Sequence, residues 1–116
     1  MKTIEKELDR LVQMLHLGQR CRICGCNAEA THHIVGRANP LLRYNPANLM
    51  PVCNFCHRRI HDNGLDAFEY MDERKATYLK KAKNKSYKDV LTFDLRMSEE
   101  EYFKRCKEIL TELLLT

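Results

Sequence analysis

The sequence predicts an α+β fold in which a short strand pair and one helix gather around a cysteine-rich centre, with longer helices on either side. Three observations carry that prediction. Two C-x-x-C pairs, Cys21/Cys24 and Cys53/Cys56, bracket a loop-rich segment. Apolar residues recur at helical spacing before Gly18 and again after Leu65. Between these stretches, residues 31–35 and 49–52 are short β-compatible runs among Gly and Pro markers.

Each element has its own signal. Ile4, Leu8, Leu11, Val12 and Leu15 form one stripe, predicting a helix over residues 3–16 that Gly18 stops. Residues 19–52 have weak periodicity, with Gly25, Gly36, Asn39-Pro40, Asn45-Pro46 and Pro51 as loop markers. A helix is expected from about Cys53 or Asn54 to His61, ending at Asp62-Asn63-Gly64. A second helical pattern over 65–82 is carried by Leu65, Phe68, Met71, Tyr78 and Leu79. The following KKAKNKSYK run suits an exposed flexible linker or a phosphate-contacting segment. Ser98-Glu99-Glu100-Glu101 is a capping box opening a last helix, with Tyr102, Phe103, Ile109, Leu110 and Leu113 as its apolar face. The expected organisation is one domain over 1–116: an N-terminal helix (1–18), a core (19–64) and a helical C-terminal extension (65–116).

At 116 residues, 44% apolar and 31% charged, the chain has an ordinary globular composition. No apolar run approaches the ~18 residues that cross a bilayer, and the N-terminus lacks a secretion signal, so a cytoplasmic location and no membrane partner are expected. In a reducing compartment, C-x-x-C pairs favour metal or redox chemistry over structural disulfides. The charge is uneven. Residues 20–61 hold six arginines (Arg20, Arg22, Arg37, Arg43, Arg58, Arg59) against one acid, Glu29, in a chain of net charge +4. Guanidinium forks match phosphate oxygens, so this patch suits a polyanion such as DNA.

Two C-x-x-C knuckles brought together place four thiolates around one tetrahedral Zn²⁺. Cys21, Cys24, Cys53 and Cys56 are therefore expected to bind a structural zinc, with Cys26 as a substitute ligand. Cys106, on the last helix, reads as a buried thiol. That leaves His57 and His61, four apart on one helix face. The 32-residue gap from Cys24 to His57 disfavours a small zinc finger, whose gap is roughly 12–15. Upstream, His32 and His33 are neighbours in a strand and point to opposite faces, so one can bind a metal while the other stays available as a base.

The pattern His32-His33, Asn48, His57 and His61, framed by the knuckles, resembles the HNH endonucleases. Its histidine and asparagine spacing is similar to that of the colicin DNases, and its knuckles are similar to those of phage and restriction-type HNH nucleases. The resemblance covers about residues 21–61 and implies a ββα-metal core in a bacterial or phage-encoded enzyme. It implies His33 as the general base, His32 and His57 as ligands of a catalytic divalent cation, His61 as a third ligand, and Asn48 as a brace that orients His33. Many members have Asp at the position of His32 and favour Mg²⁺, whereas an all-imidazole site suits Zn²⁺, Ni²⁺, Co²⁺ or Mn²⁺. Arg37 or the Arg58-Arg59 pair could hold the scissile phosphate. The expected function is metal-dependent hydrolysis of DNA, double-stranded or branched, and the apolar face of the last helix is compatible with a homodimer. The alternatives are a non-catalytic zinc-binding nucleic-acid module and a zinc-scaffolded protein-interaction domain.

Overall fold

Helix α1 (Thr3–Met14) buries Leu8 and Val12 against α6 (Glu99–Leu115), which contributes Tyr102, Phe103, Cys106 and Leu110. The computed structural model describes residues 3–116, so the first two residues of the expected N-terminal segment lie outside it. Between those helices run β1 (Ala30–His33), α2 (Pro40–Arg43), β2 (Leu49–Val52), α3 (Asn54–Asp62), α4 (Glu73–Ala82) and α5 (Tyr87–Asp89). The described residues thus form an α+β fold with one two-stranded sheet and six α-helices. No helix among them is long and apolar enough to cross a membrane.

The sheet is antiparallel, pairing Ala30 with Val52, Thr31 with Pro51, His32 with Met50 and His33 with Leu49. The first strand was expected over 31–35 but ends at His33. The reason is Asn48, whose side-chain oxygen takes the Val35 N–H at 2.6 Å and turns the chain out of the ladder. Pro51 is tolerated because its main-chain groups face away from β1, so the ladder does not need the N–H it lacks, and its carbonyl accepts the Arg22 N–H at 2.9 Å.

Three regions differ from expectation. The Asn39-Pro40 marker opens α2: the Asn39 side chain caps the Leu41 N–H, and Pro40 starts the turn. The pattern over 65–82 is split, because Asp66 and Asp72 each cap a separate segment and Met71 between them is extended. Only residues 73–82 form a full helix. The lysine run is not an unstructured linker: Lys80 and Lys81 close α4, Lys88 lies in α5, and all are exposed. A wider π-type turn over Val90–Leu95 follows and ends at Arg96 with φ 51°.

Two apolar clusters result. The larger joins α1, α2, α4 and α6 through Leu8, Leu42, Tyr44, Leu79, Phe103 and Leu110. The smaller surrounds the cysteines with Met50, Val52 and Ala67. Ile34 and Met71 pack against both.

Candidate metal centres and groove

The knuckle around Cys21 is a tight hairpin. Arg20 pairs with Asn27, the Cys21 N–H donates to the Cys26 carbonyl at 2.6 Å, and Gly25 takes φ +80°, a conformation that suits a residue without Cβ. The second knuckle begins α3, where Cys53 is the N-cap and its sulfur accepts the Cys56 N–H at 3.4 Å. Glu29, the lone acid of the arginine-rich segment, clamps the same helix start by accepting from the Asn54 N–H and side-chain amide at 3.1 and 3.2 Å. A carboxylate there also complements the positive end of the helix dipole.

This juxtaposition brings Cys21, Cys24, Cys53 and Cys56 within 4.8 Å of one another. Cys24 Sγ and Cys53 Sγ are 3.6 Å apart. A tetrahedral zinc with ~2.3 Å bonds needs about 3.8 Å between sulfurs, whereas a disulfide needs about 2 Å. The cluster could therefore hold a zinc ion. Burial raises the Cys21 thiol, but hydrogen bonds from the backbone at Cys24, Cys53 and Ile23 outweigh it and bring its pKa down to about 6. Burial, then hydrogen bonding to the other three sulfurs, pushes Cys56 up to about 12. Four crowded sulfurs cannot all ionise unaided, and a divalent cation is what would let them. Cys26 is exposed and outside the set, and Cys106 is buried.

The histidines form a second cluster. His32 points from β1 toward α3 and is 6% exposed. Its Nδ1 lies 3.2 Å from His57 Nε2, which is 3.0 Å from His61 Nε2. One ion with ~2.05 Å bonds to nitrogen would set such atoms about 3.3 Å apart, so the donor set fits a divalent metal. Burial, then the charges of His57, His61 and His33, lowers the His32 pKa to about 4. His57 is also lowered, by burial and then by His61 and Arg37. Both rings are thus neutral near pH 7, the form that ligates metal.

His33 diverges from His32 as the strand alternation requires. Its Nε2 meets the Arg43 carbonyl oxygen at 3.1 Å, and burial followed by the Arg37 charge lowers its pKa. Both histidines nevertheless border one groove of about 400 Å³, together with Thr31, Gly36, Arg37, His57 and His61. Asn48 is fully buried. Its side-chain amide donates to the Val35 and Leu42 carbonyls at 3.0 Å each, stapling the connection between the strands.

The arginines separate. Arg37 lines the histidine groove, and Arg58 lines an adjoining one with Asn54, His57 and His61. Arg59 lines neither and sits over the Phe55 ring at 5.7 Å. Arg22 and Arg43 are engaged elsewhere, Arg22 with the Tyr70 carbonyl and Arg43 with Asp9. Sequence reasoning counted Arg43 and Glu29 only as charges of the patch and did not single out Asp9. Glu29 carried a signal as the single acid in its segment, whereas the Asp9–Arg43 pairing spans 34 residues and carried none.

No protein-family model matches the chain, and no solved structure matches it. Among curated proteins, the mitochondrial DNA mismatch repair protein mutS homolog of Sarcophyton glaucum is 40% identical over 50 residues. That alignment covers 39% of this chain and 5% of that protein.

Proposed function

We propose that the chain is a metal-dependent DNA endonuclease of the HNH class, with β1, β2 and α3 as its ββα-metal core. The observation that carries this reading is the groove: three imidazoles converge within reach of one ion while a fourth, His33, borders the same space. The segment shared with a protein named for DNA mismatch repair supports a nucleic-acid role.

The chain's own groups divide the work. A carbonyl oxygen only accepts, so the Arg43 contact keeps the proton of neutral His33 on Nε2 and leaves Nδ1 as the basic nitrogen. His33 takes a proton from water there as the water oxygen bonds to phosphorus and the bond to the 3′ oxygen breaks, the departing oxygen taking a proton from solvent. A divalent cation held by His32, His57 and His61 would supply charge neutralisation at the phosphoryl and leaving oxygens. Arg37, close enough to depress both His33 and His57, holds the scissile phosphate. Arg58 extends the cationic path along α3. Asn48 keeps the loop that follows His33 fixed. The zinc of the four cysteines is structural, anchoring the start of α3. The exposed side of α6, with Ile109 and Leu113, is the surface a homodimer would use.

Supercoiled plasmid incubated with each divalent ion in turn tests the reading. Nicking is expected only with added metal, and His33→Ala should lower it about 10²–10⁴-fold while DNA affinity and fold persist. DNA bound but left intact under every ion would favour a zinc-binding nucleic-acid module instead.

A further inference from the structure

Helix α2 is one turn long, and a single turn has too few internal bonds to hold itself. Besides the backbone N–H groups that close on the Leu42 carbonyl, its C-terminal carbonyls receive side chains from three other parts of the fold. The Tyr102 hydroxyl of α6 donates to the Leu41 carbonyl. The Asn48 amide donates to the Leu42 carbonyl, and the His33 ring to the Arg43 carbonyl. The Arg43 side chain is gripped from a fourth direction, where α1 presents Asp9. Arg43 Nε reaches Asp9 Oδ1 at 3.0 Å, and Nη2 reaches Oδ2 at 2.8 Å. That two-pronged contact is part-buried, with the side chains 21% and 24% exposed. It fixes orientation as well as position, because both prongs of a planar fork are engaged.

We propose that Asp9 is a positioning residue: by clamping Arg43 it holds the residue 43 carbonyl against His33 Nε2, and so fixes the tautomer and aim of that ring from a helix outside the groove. The catalytic consequence rests on the nuclease reading above; the structural part does not. An Arg43 carbonyl not held in place would let His33 adopt either tautomer, and only the one protonated on Nε2 leaves Nδ1 as the basic nitrogen of a ring that borders the groove. The N-terminal helix then acts as part of the machinery and not as packing alone. The comparison within α1 is Glu7, whose ion pair is with Lys107 of α6 at 2.8 Å.

Ring ¹⁵N shifts of His33 in the zinc-replete protein read the tautomer directly, without any cleavage. Wild type is expected in the form protonated on Nε2. Asp9→Ala and the near-isosteric Asp9→Asn should both show a mixture, Asp9→Glu should restore the wild-type signal, and Glu7→Ala should leave it unchanged. In plasmid nicking, the first two variants should lose roughly tenfold in kcat with KM unaltered, a fraction of what the base supplies. A wild-type ring protonated on Nδ1, or Asp9→Ala and Asp9→Asn rings indistinguishable from wild type, would overturn the proposal. So would a Glu7→Ala ring disturbed as much as either. If wild type nicks nothing yet the shifts behave as described, the clamp stands and the nuclease reading falls.

Discussion

The two candidate metal centres share helix α3 and differ in how far water can enter. Cys56 and His57 are sequence neighbours, yet Cys56 is fully buried among Met50, Val52 and Ala67, while His57 opens onto a groove. Three of the four sulfur donors are buried. The imidazole donors instead form a gradient from buried His32 through half-buried His57 to exposed His61. A closed donor set can contribute only folding energy, whereas a graded one can keep a coordination position open to substrate. Turning about 100° around one helix axis separates the buried sulfur cluster from the imidazole cluster at the groove.

The largest effect that would break this comparison is loss of the sulfur site. Cys53→Ala should forfeit a zinc contribution on the order of 10 kcal/mol, comparable to the whole stability of a small domain, and the protein should unfold or aggregate. Circular dichroism together with zinc analysis checks this, and a folded, zinc-free variant would contradict it.

Next comes the imidazole site. His57→Ala should stay folded and retain one zinc, but cleave at least 10–100-fold more slowly, since even changes behind a metal ligand cost about that much. If that variant lost the tightly held zinc, the two centres would be one.

Asn48→Ala is expected to fall between these classes, lowering both stability and activity. It strips three hydrogen bonds from a buried staple, so about 3 kcal/mol of stability should go, visible as a lower denaturant midpoint at unchanged slope. A loss confined to activity would mean that Asn48 acts in the groove and not as a brace.

The smallest effect is that of pH. His32 is held at about 4 against an ordinary 6.5, so between those values the unfolded chain binds the extra proton. Stability therefore rises with pH across that window and is lost as pH falls from 6.5 toward 4. Melting temperatures at pH 7, 6 and 5 should drop in that order, and His32→Gln should flatten the trend.

Spacing alone determined much of this molecule. The C-x-x-C pairs and the i, i+4 histidines were legible because local geometry fixes where such neighbours point, and Cys21, Cys24, Cys53 and Cys56 do converge. So were α1 and α6, whose apolar stripes and capping box are properties of a few adjacent turns. The break of the 65–82 pattern at Met71 was also local, two aspartate caps outweighing a continuous apolar stripe. Tertiary structure decided what depends on distant partners. Ile109 and Leu113 stayed exposed because α1 and its neighbours cover only one side of α6. It took Arg59 out of the groove and placed Arg37 in it. Above all, it set the Arg43 carbonyl beside His33 by way of Asp9. A contact of that kind depends on how separate helices dock, and no local pattern of residues encodes it.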